Sequence, residues 1–508
     1  MALDRRGVDY QARSRSGARI ASARGTLFPR IAHYKTVTAF RERLAELGIT
    51  LPVDERVLSA AEDSPLAAPI AVGDRVIGNR WCVHPMEGWD GALDGAPSEL
   101  TRRRWRRFGE SGAKLIWGGE AAAVRHDGRA NPRQLMATAS HRAALAGLVD
   151  LLRSAHRERF VSDDDLLVGL QLTHSGRFSR PNGARLEPRI AYHHPLLDQR
   201  TGIDERDDSQ VWTDDALAEL IDDYAAAART AQEAGFDFVD IKACHGYLLH
   251  EFLSARRRGG RYGGDFDGRT RLLLEIVAAV RETAPRLLIG VRLSVFDTPP
   301  FARVGDHGES AALDGLLPYE LAFGADANDP LLPDLSEPMR LARALCVGGV
   351  DLFNITCGSP YYNPHLQRPA AFPPSDGYPP PFDPLLAVWR HIDATREMKR
   401  ALPNSVVVGS GYTYLQDWLP HVAQAVIRAG WVDVVGIGRM ALSYPELPAD
   451  SLAGREPRRS QVCRTFSDCT TAPRSGLISG CYPLDEFYKE LPEAAQLRRV
   501  KSEAKRER

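Results

Sequence analysis

Short hydrophobic runs alternate with amphipathic segments along most of the chain after residue 70. Eight runs are rich in β-branched residues, have the length of a strand and lack the polar alternation of a half-exposed sheet. Runs of this kind are typical of a parallel sheet that is covered by helices. The eight lie at 79–85, 113–119, 166–172, 236–242, 287–293, 350–356, 405–411 and 432–438.

The segments between these runs carry the period of amphipathic helices. In the clearest one, apolar residues recur at i, i+3, i+4 and i+7 from Leu217, with Thr213 placed to cap the first turn and Gly235 to end the helix. The stretches EAGFDFVDI, VGGVDLFNI and RAGWVDVVGI repeat one junction, in which a helix stops at glycine before a strand begins. Eight such units predict an α/β fold, a closed (β/α)8 barrel, rather than an open doubly wound sheet.

Two further segments flank the predicted barrel. Residues 1–70 form an N-terminal extension with one helix at 38–48, and residues 71–450 form the barrel itself. Residues 451–508 form a C-terminal cap segment that holds clustered cysteines and ends in a charged tail.

The composition excludes several classes of function. A formal net charge of −1 gives no attraction to nucleic acid or to an anionic membrane, and no apolar stretch reaches the roughly 20 residues that cross a bilayer. The Arg-rich residues 1–25 lack the hydrophobic core of a secretion signal, although a transit peptide stays open. Seven cysteines are too few for a disulfide framework. We therefore expect a cytoplasmic protein that acts on a small-molecule substrate, without nucleic acid or membrane partners; a homo-oligomer stays open.

Polar residues collect where the predicted strands end, which is the edge at which such barrels carry their active sites. The fourth run ends at Lys242, and His245 and Tyr247 follow it directly. Gln171 ends the third run and Arg292 ends the fifth. The sequence therefore predicts that these side chains meet on one face of the barrel.

Glycine-bearing turns follow the last two strands, at 409–412 and 436–439. Free N–H groups in these turns, together with the guanidinium of Arg439, suit a phosphate, and these two loops commonly hold one in barrels. GIGRMA could also be read as a dinucleotide-binding G-x-G-x-x-A motif. It lacks the following strand and acidic residue, so we reject that reading.

The stretch RTAQEAGFDFVDIKACHGYLLHEFLSARRRGGRYGGDFDGRTR resembles the strand-four signature of the old yellow enzyme family of flavin-dependent (β/α)8 oxidoreductases. The similarity extends to QLTHSGR, to GVRLS, to the Pro-Met pair after the first strand, and to GSGYT and GIGR, all in the family's order. It covers roughly residues 70–450.

The resemblance implies a site for flavin mononucleotide (FMN). It places the main chain of the first loop against the flavin ring, Gln171 at its pyrimidine edge, Arg292 where negative charge develops on reduction, and the last two loops around the phosphate. The full set of implied cofactor residues is Pro85, Met86, Ala121, Gln171, Arg292, Ser410, Gly411, Tyr412, Gly438 and Arg439.

The resemblance also implies catalytic roles for Lys242, His245 and Tyr247. In the family, two histidines or a histidine and an asparagine bind the substrate's oxygen, and the tyrosine donates a proton; here Lys242 replaces the first histidine. An ammonium could stabilise an enolate more strongly or bind a carboxylate. Alternatively, Lys242 pairs with a barrel carboxylate such as Glu87 or Glu120, because an unpaired buried charge is costly.

Two long loops rich in Pro, Gly and Asp, at 294–345 and 357–395, exceed what a barrel requires and are expected to cover its mouth. Tyr361 and Tyr362 in the second loop are candidate substrate-contacting lid residues, or else packing anchors of that loop.

Three cysteines, Cys463, Cys469 and Cys481, form a C-x5-C-x11-C pattern near the C-terminus. The branch of the family that includes 2,4-dienoyl-CoA reductase and trimethylamine dehydrogenase has a four-cysteine iron–sulfur motif at this place, and Phe466 stands near the missing cysteine. A cluster with another fourth ligand, a zinc site and a remnant with reduced thiols all stay open, the remnant being favoured. We expect no nucleotide-binding domains like those of that branch.

The sequence thus predicts an FMN-dependent oxidoreductase. NAD(P)H would drive hydride transfer from flavin N5 to an electron-poor C=C bond of a carbonyl or carboxylate compound. The alternatives are an FMN-dependent dehydrogenase or oxidase, a barrel lyase that uses Lys242 as a Schiff-base nucleophile, and a flavin-binding protein without catalysis.

Overall fold

A computed structural model describes residues 28–506 of the chain. Its centre is a closed barrel of eight parallel strands, in which each strand pairs with its neighbours along the chain and the first pairs with the last. Every predicted run overlaps one of them. The strands are β1 (Trp81–Val83), β2 (Leu115–Ile116), β3 (Leu167–Thr173), β4 (Phe238–Ala243), β5 (Leu288–Phe296), β6 (Leu352–Cys357), β7 (Val406–Gly409) and β8 (Val434–Ile437).

Helices surround the barrel and connect its strands in order. All residues of the eight strands are buried, which explains why their hydrophobic runs show no alternation. The long connecting helices are Glu99–Gly109, Arg142–Phe160, Asp214–Glu233, Phe266–Thr283, Ser336–Val347, Pro384–Ala401 and Leu419–Arg428. The helix from Asp214 begins as predicted, because the Thr213 side chain accepts a hydrogen bond from the backbone N–H of Ala216.

Shorter elements decorate this frame. The long loop after β5 contains an antiparallel hairpin, Phe301–Val304 with His307–Ser310, that the sequence did not predict. A second hairpin, Ile70–Val72 with Arg75–Ile77, precedes β1, and Ala121–Ala123 pairs with β3. The remaining α-helices within residues 28–506 are Val37–Glu46, Asp198–Thr201, Leu248–Phe252, Pro364–Gln367, Arg439–Ser443, Leu447–Leu452, Asp468–Arg474, Glu486–Glu490 and Glu493–Arg506, and a 3-10 helix spans Tyr412–Trp418.

Both flanking segments pack on the barrel. In the N-terminal one, Phe40 stacks on Trp418 with ring centroids 5.6 Å apart. In the C-terminal one, Asp485 accepts two hydrogen bonds, at 3.0 and 2.9 Å, from Arg103. The division of the chain into three segments at residues 70 and 450 stays a prediction. The Arg-rich residues 1–25 lie outside the described residues.

In the part of the chain from residue 28 to residue 506, no helix has the length and hydropathy needed to cross a membrane.

Candidate active site

A cavity of about 250 Å³ opens at the carboxyl ends of the barrel strands. Its lining includes twelve of the fifteen predicted catalytic, cofactor and substrate residues: Pro85, Met86, Gln171, Lys242, His245, Tyr247, Arg292, Tyr361, Ser410, Gly411, Gly438 and Arg439. The parallel strand register explains why these residues lie together, since strand ends that are far apart in sequence lie side by side. Lys242 in β4, for example, is directly opposite Arg292 in β5.

The other three of these fifteen residues lie outside this lining. The main-chain oxygen of Ala121 accepts a hydrogen bond of 3.1 Å from Gln134, and Tyr412 is buried beneath the turn that follows β7. Tyr362 turns away from the cavity and donates a 2.6 Å hydrogen bond to Asp297. Of the two neighbouring tyrosines, only Tyr361 therefore lines the cavity, and we do not retain Tyr362 as a substrate residue.

The floor of the cavity is organised by Asp240, which lies wholly inside the barrel. Its carboxylate accepts hydrogen bonds from the Gln171 side-chain amide, at 2.5 Å, and from the backbone N–H of Arg292, at 2.6 Å. Burial raises the pKa of Asp240 to about 6, and these donors oppose the rise. The orientation of the Gln171 amide is thereby fixed, as recognition of a planar ring edge requires.

One end of the cavity presents two half-buried arginines without a carboxylate partner among the described residues. Nη1 of Arg439 and Nη2 of Arg368 are buried and have no hydrogen-bond acceptor there. Burial, and then the neighbouring Arg474 and Arg439, lower the pKa of Arg368 to about 9, and burial also lowers the pKa of Arg439. Crowded, desolvated cations with free donors are suited to a phosphate.

Glycines give that end of the cavity its shape. Gly411 has φ of +91°, a conformation that places successive backbone N–H groups around a concave surface. A Cβ on Gly436 would lie 2.1 Å from the Nε2 atom of His84. Side chains are therefore excluded where a ligand must approach the backbone closely.

These residues fit FMN, because free cationic donors face the phosphate end and an oriented amide and a cation face the floor. Arg439, Arg368, Ser410, Gly411 and Gly438 would hold the phosphate. Gln171, Arg292 and the Pro85–Met86 main chain would hold the ring.

We expect Arg439→Met and Arg368→Met each to weaken FMN binding about 10- to 100-fold, because each removes a charge-assisted hydrogen bond to the phosphate. The measurement is the quenching of FMN fluorescence when the cofactor is titrated into the apoprotein. Arg400→Met is the control, since its side chain is 64% exposed on an outer helix. An unchanged dissociation constant in both test variants would place the phosphate elsewhere.

Lys242 lies at the opposite side of the cavity and is paired with Glu87. The Nζ atom is 3.6 Å from Oε1 of Glu87 and 4.0 Å from the centre of the Tyr247 ring. Burial lowers the pKa of Lys242, and Glu87 opposes this effect. Of the two predicted partners, Glu120 is engaged elsewhere, because it accepts a 2.7 Å hydrogen bond from Arg104.

Tyr247 places a phenol next to this ammonium. Its hydroxyl lies 2.8 Å from the hydroxyl of Tyr361, whose ring stacks on Phe178 with centroids 3.9 Å apart. Burial raises the pKa of Tyr247 well above the ordinary value, and Glu87 adds to the rise. The phenol therefore stays protonated and can act as a proton donor.

His245 completes the group in an unusual backbone conformation, with φ of +66°. Its backbone oxygen accepts a 2.8 Å hydrogen bond from Ser359, and its Nε2 atom lies 3.3 Å from both Thr356 and Gln367. Burial, followed by the charges of Arg292 and Lys242, lowers the pKa of His245 well below the usual value. The imidazole is therefore neutral at pH 7 and can bind an oxygen without adding charge.

The three C-terminal cysteines lie close to the cavity but do not form a recognisable metal site. Among residues 28–506, no group of three or more His, Cys, Asp or Glu side chains is arranged to hold a metal ion. Cys469 lines the cavity beside Arg439 and Arg368, and burial raises the pKa of Cys463 to about 11. Phe466, which stands near the missing cysteine, stacks on Phe372 with ring centroids 5.3 Å apart.

Several lining residues escaped prediction, among them His84, Arg180 and Arg368. His84 immediately precedes the predicted Pro85–Met86 pair and bridges Asn354, at 3.1 Å, and Ser410, at 3.2 Å. Its place at the end of β1 was a signal that could have been used. Arg368 and Arg180 lie on long loops, and no periodicity or spacing indicates where such residues point.

Comparison with known proteins identifies relatives of this chain. The model of the NADH:flavin oxidoreductase / NADH oxidase family matches residues 65–307. A relative, the NADPH dehydrogenase of Listeria monocytogenes serotype 4b (strain CLIP80459), is 31% identical over 300 residues, which cover 56% of this chain and 80% of the relative.

Two solved structures share the fold. The complex of 2-naphthoyl-CoA reductase with 2-naphthoyl-CoA superposes with a TM-score of 0.61 at 18% identity over 84% of this chain; the chain spans 57% of that protein's length. An old yellow enzyme homologue from Zymomonas mobilis superposes with a TM-score of 0.51 at 21% identity, covering 76% of this chain and 91% of the homologue. The NADPH dehydrogenase relative and the family match show that this chain belongs to the NADH:flavin oxidoreductase family, the old yellow enzyme family, and is an FMN-dependent NAD(P)H oxidoreductase.

Proposed function

We propose that the enzyme reduces an electron-poor C=C bond that is conjugated to a carbonyl or carboxylate oxygen. FMN, when bound, supplies the hydride chemistry that connects NAD(P)H to this bond. The chain must then bind the oxygen, stabilise the charge that develops on it, and deliver a proton to the neighbouring carbon.

Lys242 and His245 are the groups proposed to bind the oxygen. The ammonium of Lys242 supplies a positive charge where an enolate forms, and a pre-positioned charge in a dry cavity stabilises such a state strongly. Neutral His245 adds a ring nitrogen beside Thr356 and Gln367. Because Lys242 also contacts Glu87, the oxygen must share the ammonium with that carboxylate.

Tyr247 is the proposed proton donor, and its position is the observation that carries the proposal. The phenol is protonated, lines the cavity, and has the Lys242 ammonium over its ring. Tyr361 donates or accepts at 2.8 Å and connects Tyr247 to the loop that borders the cavity. The ring of Phe178 stacks on the ring of Tyr361 and holds it in position.

The proposal is tested by anaerobic visible spectra of the FMN-loaded protein. NADPH or NADH should bleach the flavin bands, and an α,β-unsaturated carbonyl or carboxylate compound should restore them with formation of the saturated product. Bleaching by the saturated compound, but not by either nucleotide, would assign the oxidative direction. A protein that binds FMN and responds to neither would contradict both.

A lyase that uses Lys242 as a nucleophile is the second candidate, since burial lowers the pKa of this amine. Glu87 works against it by stabilising the ammonium. Borohydride trapping of a carbonyl substrate on Lys242, detected by mass spectrometry, would favour the lyase; no adduct is expected.

The Lys242–Glu87 pair also predicts the pH dependence of catalysis. Activity needs the ammonium, so kcat/KM should fall as pH rises through the pKa of Lys242, which burial places below the ordinary 10.5. Glu87→Gln removes the charge that raises this pKa, so we expect the alkaline limb to move to lower pH. Lys242→Met should remove the limb altogether. An identical limb in Glu87→Gln would show that another group titrates there.

A further inference from the structure

Positive charge dominates the lining of the cavity. Six lining side chains are cationic, whereas Glu87 is the lone carboxylate among the described residues that form this wall. His84 and His245 add nothing at pH 7, because burial lowers the pKa of each well below the ordinary value. The six cations are Lys242, Arg180, Arg292, Arg368, Arg439 and Arg474.

Three of these cations have a counter-charge within the protein. Glu87 lies 3.6 Å from Lys242, and Asp376 lies 2.9 Å from Arg474. Asp240, inside the barrel, interacts electrostatically with Arg292. A doubly charged FMN phosphate between Arg368 and Arg439 would balance two more.

Arg180 is the remaining cation of the lining, and it has no counter-charge among the described residues. Within the described part of the chain, no carboxylate oxygen comes within 4.0 Å of its guanidinium, and its buried Nε has no hydrogen-bond partner. The Trp89 ring lies 5.7 Å from the guanidinium carbon and holds the group by a cation–π contact. The charge also acts on Tyr361, the hydrogen-bond partner of Tyr247, so it lies near the reacting end of the cavity.

We propose that the substrate is an anion, an unsaturated carboxylic acid or a conjugated compound with a separate carboxylate, and that Arg180 binds its negative charge. The inference rests on the proposed function, because it names the substrate class of the same cavity. A guanidinium that is already partly desolvated and oriented by Trp89 forms a strong bidentate contact with a carboxylate. Lys242, by contrast, is compensated by Glu87 and stays available for the oxygen conjugated to the double bond.

Binding, measured without turnover, tests this inference. Isothermal titration calorimetry on the oxidised, FMN-loaded enzyme compares cinnamate with cinnamamide, which has nearly the same shape and no charge. Cinnamate should bind at least about 10-fold more tightly, because the charge-assisted contact with Arg180 is absent for the amide. Higher salt should weaken cinnamate binding selectively.

Arg180→Gln should weaken cinnamate binding about 10- to 100-fold and leave cinnamamide binding and FMN content nearly unchanged. Arg185→Gln is the matched control, because it removes an arginine from the same loop that is exposed and does not line the cavity. Equal affinities for the two ligands in the native enzyme, equal losses in Arg180→Gln, or binding of neither ligand would overturn the inference.

The two proposals fail separately. An enzyme that binds cinnamate through Arg180 but never reduces a double bond would keep the anion site and contradict ene reduction. An enzyme that reduces uncharged enones and binds cinnamamide as well as cinnamate would keep ene reduction and contradict the anion site.

Discussion

Tyr247→Phe is expected to lower the turnover of an unsaturated substrate by about 10²- to 10⁴-fold, the usual contribution of a positioned proton donor. The substitution removes one hydroxyl from a ring that stays packed against Tyr361 and beneath the Lys242 ammonium. The rate at which NADPH bleaches the flavin should change little, because that measurement does not involve the phenol. Anaerobic stopped-flow spectroscopy records both rates separately.

Tyr361→Phe is the matched control for this prediction. It removes the partner hydroxyl at 2.8 Å but leaves the donor on Tyr247, so we expect a much smaller loss of turnover. If both variants lose activity equally, the pair acts as a unit and Tyr247 cannot be assigned alone. If Tyr247→Phe retains full turnover, the proton comes from another group.

Arg104→Met is expected to destabilise the protein by about 3–5 kcal/mol, which is typical when one partner of a buried ion pair is removed. Arg104 is buried and donates to Asp90, at 2.7 and 3.0 Å, and to Glu120, at 2.7 Å. Glu120 in turn accepts the backbone N–H of Gly88, next to Glu87, at 3.1 Å. The loop that carries Glu87 into the active site therefore depends on this cluster.

Urea unfolding of Arg104→Met should also show a characteristic pH dependence. Burial raises the pKa of Glu120 to about 7, and Arg104 opposes the rise, so its removal raises that pKa further. A carboxyl group whose folded pKa exceeds its unfolded pKa favours folding at low pH and opposes it as pH rises. The loss of unfolding free energy in Arg104→Met should therefore be larger at about pH 8 than at about pH 5.

Arg106→Met is the control for this stability measurement, since Arg106 lies on the same helix but is half exposed and pairs with Glu110 at the surface. Exposed pairs of this kind contribute little to stability. If the two variants lowered the free energy of unfolding equally, the buried cluster would contribute no more to stability than an exposed ion pair.

The fold and the location of the site were predictable from the sequence because both depend on local patterns. Uninterrupted hydrophobic runs mark strands that are buried on both faces. Thr213 caps the start of a helix, and Gly235, with its positive φ, follows the end of the same helix. Parallel strands bring their carboxyl ends to one edge of the barrel. Lys242 and Arg292 could therefore be placed at the same face without coordinates, and they are direct neighbours in the barrel.

The pairing of charges was decided by the tertiary structure alone. The sequence left Glu87 and Glu120 as equal partners for Lys242, but the helix that carries Arg104 packs so that Glu120 is engaged there. Arg180 and Arg368 enter the cavity from loops whose course depends on long-range packing.

Two neighbouring tyrosines also show that the sequence does not predict which way a loop side chain points. Tyr361 and Tyr362 are adjacent and identical in type, yet one lines the cavity and the other binds Asp297 behind it. Sequence periodicity thus determined the barrel and the edge that carries its chemistry. Only the folded chain decided which charge is left without a partner, because that depends on contacts between residues far apart along the chain.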